Sequence, residues 1–161
     1  MMTRQIAALL RRFPFLLQLP YQVFSRAQAR YTVGVAAVVF DDHDRVLLVE
    51  HAYHPHFPWG LPGGWVDADE DPAKSVLREL KEELQLEAKA LCVVHVNKTA
   101  PNHIDLAFLC EAMSPVSKLS HELLGYEWIG REHLRNLKPF HHRAIEAARA
   151  LRRRSVAWDQ A

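Results

Sequence analysis

The sequence predicts an α/β (α+β) sandwich in which a mixed central β-sheet is packed against helices. Three observations lead to this class. Residues 31–40 (YTVGVAAVVF) form a run of β-branched and other apolar residues, which is typical of a β-strand. Residues 72–84 place apolar side chains at helical spacing opposite a charged face. A second helical segment, 139–154, follows the last predicted strand, and such mixtures form layered sandwiches.

Composition indicates an ordinary globular chain. Its 161 residues are 49% hydrophobic and 24% charged with a net charge of +1, which excludes a disordered polyelectrolyte and predicts about one domain. No run approaches the roughly 20 apolar residues that span a bilayer, so an integral membrane segment is excluded. Cys92 and Cys110 are expected to be free thiols, which favours a cytoplasmic location.

Residues 1–30 are predicted to form a basic arm. They hold five arginines and no acid, whereas the other 131 residues hold 15 basic and 19 acidic side chains. Apolar residues at helical spacing over 5–19 predict an amphipathic helix with a bend near Pro14. We expect its apolar stripe to pack on the domain or on a second copy of the chain, which would give a homodimer. Contact with nucleic acid or an anionic membrane surface is the open alternative.

The remaining chain is predicted to be one domain, 31–154, followed by a tail, 155–161. In chain order its strands are expected over 31–40, 46–49, 90–97, 104–110 and 126–129, and its helices over 72–84 and 139–154. A Pro- and His-rich loop and a glycine turn at 59–64 precede the first helix. Asp71 and Pro72 suit a helix start, because the first N–H groups lack helical partners.

Acidic residues are densest just before and within the first helix. Seven of them stand between Asp67 and Glu83 against three bases. On a helix, Glu79, Glu82 and Glu83 share a face, and like charges at that spacing repel. Taken alone, the pattern fits a solvated charged face, with Arg78 paired to Glu82. It also fits a site for a hard cation such as Mg²⁺ or Mn²⁺.

The glycine turn and the acidic helix together resemble a known signature. Gly64 is followed after five residues by Glu70, and after seven more by Arg78-Glu79-Leu80, one residue, Glu82-Glu83, one residue, Gln85 and Leu86. This spacing resembles the Nudix box of the Nudix hydrolase family. The resemblance implies a Nudix-type α/β/α sandwich over the domain 31–154.

Gln85 departs from the family pattern, which has glycine at this position. Glycine adopts a left-handed conformation at a helix end without steric cost, whereas Gln does not. We therefore expect about 1 kcal/mol of local strain, or a helix that runs slightly longer.

The resemblance also implies roles for individual residues. Glu79, Glu82 and Glu83 would be ligands of Mg²⁺ or Mn²⁺, and the Gly64 carbonyl would be a further one. Arg78 would hold the carboxylate face by ion pairing, and Glu70 would brace the junction of loop and helix. Glu79 or Glu82 is the expected base within the box.

The resemblance further implies an acid from a loop before a late strand, as many members of the family have. Glu122 is the first candidate for this acid and Glu127 is the second. The alternative for each of them is an ordinary acidic residue on the surface, without a role in the site.

The implied activity is divalent-metal-dependent cleavage of the pyrophosphate linkage in a nucleoside diphosphate linked to another moiety. ADP-ribose or a nucleotide-sugar-like compound is slightly favoured over nucleoside triphosphates, because Pro101 stands 15 residues beyond Leu86, a placement that resembles the one in ADP-ribose-hydrolysing members of the family. The alternatives are a non-catalytic Nudix-fold nucleotide sensor and an interaction module that uses the basic arm.

Two other groups near the box have competing interpretations. His51, His54 and His56 are expected to contact substrate or to be ordinary polar residues of a loop. A zinc site is not favoured, since no cysteine joins them. Trp59 and Trp65 are expected in the core by default, with stacking on a base as the alternative.

Overall fold

The structure is a computed structural model that describes residues 10–13, 15, 24, 28–134 and 137–158. The chain divides into two units, Met1–Arg30 and Tyr31–Ala161. Apart from residues 10–13 and 15, the helix predicted over 5–19 lies outside the described residues, as does the end of the predicted tail, 159–161.

The second unit contains seven named strands and two α-helices among its described residues. In chain order they are β1 (Thr32–Val39), β2 (Val46–His51), β3 (Trp59–Gly60), β4 (Gly63–Trp65), α1 (Pro72–Leu84), β5 (Ala88–Ala100), β6 (His103–Ala112), β7 (Leu123–Ile129) and α2 (Pro139–Trp158). None of the helices in this part of the chain is both long and apolar enough to cross a membrane.

The strands form two sheets. One has the order β4-β1-β6-β5 and the other the order β3-β2-β7. Because β1 is parallel to β6 and antiparallel to β4, the larger sheet is mixed, and the predicted fold class is confirmed. The smaller sheet is antiparallel.

Strand β1 contributes to two hydrophobic cores, which explains its unbroken apolar sequence. Val35, Ala37 and Val39 belong to the core that contains the apolar stripe of α1. Ala36 and Val38 belong to the core that contains Phe140, Ala144, Ile145 and Ala148 of α2. Alternate residues of a strand point to opposite faces, so a central strand between two helices must be apolar throughout. Each fully buried Val or Leu contributes about 1.5–3 kcal/mol.

The predicted elements differ from the observed ones mainly at their ends. The helix end predicted at 154 is wrong, since α2 continues to Trp158. No Gly or Pro follows Arg154 to stop the helix. Strand β5 continues to Ala100 and strand β6 begins at His103. The turn between them therefore has two residues, fewer than expected. The glycine turn at 59–64 includes the short strands β3 and β4.

The two cysteines form no disulfide, as expected. Cys92 is exposed and Cys110 is buried. Burial raises the pKa of the Cys110 thiol to about 12, so this side chain behaves as a small apolar core residue.

Helix α1 begins and ends where the sequence predicts. The Asp71 side chain accepts a hydrogen bond from the Ala73 N–H at 2.8 Å and caps the first turn. Gln85 ends the helix in the left-handed region, with φ 50° and ψ 34°. Its side-chain Nε2 donates to the Lys81 carbonyl at 2.8 Å. The strain expected at Gln85 is therefore accompanied by a second hydrogen bond to the Lys81 carbonyl, which also accepts the Gln85 backbone N–H at 3.0 Å.

The left-handed conformation of Gln85 leads to a stability prediction. We expect Gln85→Gly to be more stable than Gln85→Ala by about 1 kcal/mol, because both lose the amide but only glycine relieves the steric cost of positive φ. Urea unfolding of the two variants and the wild type measures the difference. Equal stabilities of the two variants would contradict the strain.

Candidate active site

Leu61, Gly63 and Gly64 line a cleft of about 970 Å³, and hydrogen bonds to three other elements fix the segment 61–64. The Ala37 N–H donates to the Pro62 carbonyl at 2.8 Å. The Leu61 N–H donates to Nδ1 of His141 at 3.2 Å, and the Gly63 N–H donates to Glu83 Oε2 at 3.0 Å. The cleft segment is therefore tied to β1, α2 and α1 at once.

The two glycines of this segment are required for different reasons. Gly63 has a φ of 152°, and a Cβ there would lie 2.1 Å from the Val35 carbonyl oxygen. A Cβ at Gly64 would lie 2.5 Å from Oε1 of Glu79. Only glycine allows the backbone at position 64 to approach this carboxylate so closely.

Carboxylates from α1 and from the residue just before β7 meet at the cleft. Glu79, Glu83 and Glu122 all line it. Burial raises the pKa of Glu83 to about 8, with the charges of Glu79, Glu122 and Glu82 adding to the effect and the Gly63 N–H opposing it. Burial also raises the pKa of Glu79, and Glu82 and Glu122 again contribute. Arg78 opposes the shift at Glu79, so positive charge compensates this group of carboxylates only in part.

Arg78 is the cation that connects the acidic residues. Its Nη1 contacts Glu79 Oε1 at 2.9 Å and Glu82 Oε2 at 3.1 Å. Its Nη2 donates to Glu70 Oε2 at 3.1 Å and to the Trp65 carbonyl at 3.0 Å. These contacts raise the pKa of Arg78, with Glu70 the largest cause. The Glu70 pKa is lowered by the same bonds and by the Ser75 hydroxyl, which donates at 2.6 Å.

Comparison with known proteins decides the family. The model of the NUDIX domain matches residues 30–151. The chain belongs to the Nudix family. A MutT-like protein of Streptomyces ambofaciens is 33% identical over 101 residues, which are 62% of this chain and 64% of that protein. The chain thus spans just under two thirds of that relative's length.

Two solved structures share the fold of this chain and are identical to it in sequence at more than a quarter of the aligned positions. An ADP-ribose pyrophosphatase from Streptococcus suis has a TM-score of 0.62 and 26% identity, covering 73% of this chain and 92% of its own. The NUDIX domain of Shewanella oneidensis NrtR, complexed with ADP ribose, has a TM-score of 0.61 and 27% identity. That match covers 78% of this chain and 90% of the domain.

The residues predicted from the Nudix box lie in or beside the cleft. Gly64, Arg78, Glu79 and Glu83 line it, whereas Glu82 is more exposed and is held by Arg78. Within the described part of the chain, no three His, Cys, Asp or Glu side chains are arranged as a metal site, and Arg78 Nη1 bonds to Glu79 and Glu82. The donor set still fits a hard cation, because such ions prefer carboxylate oxygens, and the raised pKa values of Glu79 and Glu83 show negative charge that Arg78 does not fully offset next to the close approach at Gly64.

The two candidates for a further acid are separated by the structure. Glu122 lies in the same cleft as the Nudix-box carboxylates, and its charge acts on Glu79 and Glu83. Glu127 lines a different cavity of about 810 Å³, together with Asp44, Arg131 and Glu132.

Other residues of the cleft come from distant parts of the chain. His51 and His54 were expected near the box, and their rings are 4.9 Å apart. Lys138 and His141, at the start of α2, had no sequence signal. Burial lowers the pKa of His51 and of His141 to about 4, and the Lys138 charge contributes to both shifts. These two imidazoles are therefore neutral at pH 7.

Trp65 does not pack in the core as expected by default. It is 60% exposed and lines the cleft, because β4 is an edge strand of the four-stranded sheet. Trp59 is partly buried against the core that contains α2.

The raised pKa of Glu83 predicts how the stability of the metal-free Nudix domain depends on pH. A folded pKa of about 8, above the ordinary 4.5, means that the protonated form stabilises the fold, and this contribution is lost as pH rises toward and through 8. His51 and His141 act with opposite sign, but only below their ordinary value of 6.5. The effect of Glu83 is therefore clearest above pH 6.5.

We expect wild-type protein in EDTA to lose free energy of unfolding relative to Glu83→Gln, on the order of 1 kcal/mol per pH unit from pH 6.5 to 8. Urea unfolding at several pH values measures this loss. Glu127→Gln, in the other cavity, is the control and should follow the wild type. Parallel curves for wild type and Glu83→Gln would contradict the assignment.

Proposed function

We propose that this Nudix protein is a divalent-metal-dependent hydrolase that cleaves the pyrophosphate linkage of a nucleoside diphosphate linked to another moiety. One observation carries the proposal. Glu79, Glu83 and Glu122 converge on one cleft beside Gly64, and the pKa of both Glu79 and Glu83 is raised. Such a cluster of carboxylates is costly in a folded protein, and a bound cation would relieve the cost.

In this proposal Mg²⁺ or Mn²⁺ is held by Glu79, Glu82, Glu83 and the Gly64 carbonyl. When bound, the ion neutralises charge on phosphate oxygens and lowers the pKa of water. Arg78 would hold the loop before the helix in place through its hydrogen bonds to Glu70 and the Trp65 carbonyl.

The proposed reaction is hydrolysis of a phosphoric anhydride. Water forms a new oxygen–phosphorus bond, the anhydride phosphorus–oxygen bond breaks, and the departing phosphate keeps the bridging oxygen. A carboxylate accepts the proton of the water. Glu122 is our first choice for this role, because it lies at the cleft outside the box, with Glu79 or Glu82 as alternatives.

ADP-ribose or a nucleotide-sugar-like compound is the proposed substrate class. The solved structures above support it, since one is named an ADP-ribose pyrophosphatase and another contains ADP ribose. We also retain the predictions of a cytoplasmic enzyme and of a homodimer. A sensor that binds the nucleotide without metal is disfavoured, because clustered carboxylates would repel the phosphates.

Metal-dependent hydrolysis is the direct test. A panel of ADP-ribose, nucleotide sugars, diadenosine polyphosphates and nucleoside triphosphates is assayed for cleavage with Mg²⁺, Mn²⁺ and EDTA. We expect cleavage only with metal, and a fall in kcat of at least ~100-fold in Glu82→Gln. If the wild-type protein binds a nucleotide but cleaves no compound of the panel, the hydrolase proposal is wrong and the sensor takes its place.

The role of Glu122 has a matched control five residues away. We expect Glu122→Gln to lower kcat by ~100-fold or more with little change in metal affinity, because it removes a proton acceptor. Glu127→Gln should keep wild-type activity, since its side chain lines another cavity. Initial rates and Mn²⁺ titrations separate the two effects. Full activity in Glu122→Gln would return the role to Glu79 or Glu82.

A further inference from the structure

We propose that Trp65 and His103 form a stacking wall for the nucleobase of the substrate. The proposal rests on the proposed function and adds where the nucleoside half of the substrate binds. Trp65 and His103 both line the cleft, and their ring centroids are 4.7 Å apart with a 55° tilt.

The exposure of Trp65 is the first argument. Its side chain is 60% exposed although it lines a cleft of about 970 Å³. Of the described Phe, Tyr and Trp residues that line this cleft, Trp65 alone is more than half exposed. Trp59 packs against a core and Phe140 is only 6% exposed. An indole face left open in a binding cleft is suited to a flat partner with a π-system.

The rigid support behind Trp65 is the second argument. Both ring nitrogens of His103 have partners: Nδ1 lies 2.8 Å from the Thr32 hydroxyl and Nε2 lies 3.1 Å from Asp105 Oδ1. Gly34 makes room for this pair, because a Cβ there would lie 2.2 Å from Asp105 Oδ1. A fixed imidazole against the indole limits its movement, so little side-chain entropy is lost when a base binds.

The position of Trp65 relative to the acidic residues is the third argument. Trp65 directly follows Gly64, and its carbonyl accepts a hydrogen bond from Arg78 Nη2 at 3.0 Å. Arg78 in turn contacts Glu79 and Glu82. A base on the stacking wall would therefore be next to the carboxylates, as expected for a nucleoside whose phosphates are held there.

A pair of non-hydrolysable probes tests the wall without relying on activity. The probes are α,β-methylene-ADP, which carries a base, and methylenediphosphonate, which does not; both are titrated calorimetrically with Mg²⁺ into the full chain. Loss of base stacking corresponds to about 5- to 150-fold in affinity. We expect Trp65→Ala to lower the affinity for the nucleotide analogue by at least about 10-fold, within that range, and to leave the affinity for methylenediphosphonate unchanged.

Two further variants complete the design. Trp65→Phe keeps an aromatic face and should bind the nucleotide analogue within about 3-fold of the wild type. Tyr126→Ala removes another exposed aromatic side chain, 39% exposed and outside the cleft lining, and should bind both probes normally. Quenching of tryptophan fluorescence by the nucleotide analogue should be present in the wild type and lost in Trp65→Phe.

The outcomes separate the stacking wall from the proposed function. Equal weakening of both probes by Trp65→Ala, or no weakening of either, overturns the wall. Metal-dependent cleavage with an unchanged KM in Trp65→Ala also overturns the wall and leaves the hydrolase standing. Selective weakening of the nucleotide analogue in a protein that cleaves nothing supports the wall and refutes the hydrolase.

Discussion

Glu79, Glu83 and Glu122 bring three carboxylates to one cleft, and Arg78 is the cation that holds the acidic face together. Their repulsion and the burial of Glu83 favour protonation, as its pKa of about 8 shows. Arg78 offsets part of the repulsion between the acidic residues through its ion pairs with Glu70, Glu79 and Glu82. Without a bound metal ion, this cluster of carboxylates is thus less stable than apolar or neutral side chains would be at the same positions. Functional sites commonly carry such a cost.

The cleft keeps its shape because the segment 61–64 is tied to three elements. His141 of α2 accepts a hydrogen bond from Leu61, and Glu83 of α1 accepts one from Gly63. Both helices also pack on β1, whose alternate residues enter two cores. The hydrophobic cores therefore set the relative position of α1 and α2, and the hydrogen bonds transfer that position to the glycines beside the carboxylates.

The cleft places different chemistry around the carboxylates. Trp65 and His103 provide aromatic surface, whereas Lys138 with His51 and His54 provides one positive charge and imidazoles. A compound with a flat base, a charged diphosphate and a polar second moiety would use all of these features.

Local sequence determined what depends on spacing along the chain: helix α1, its cap at Asp71, and a shared face for Glu79 and Glu83. These follow from helical periodicity and from helix capping, which act within a few residues. Local sequence left open whether Gln85 would be strained or would extend the helix. The tertiary structure alone decided that Glu122 and not Glu127 joins the cleft, that His141 reaches Leu61 across 80 residues, and that Trp65 stays exposed. These depend on strand order and helix docking, which bring together residues that no local pattern connects.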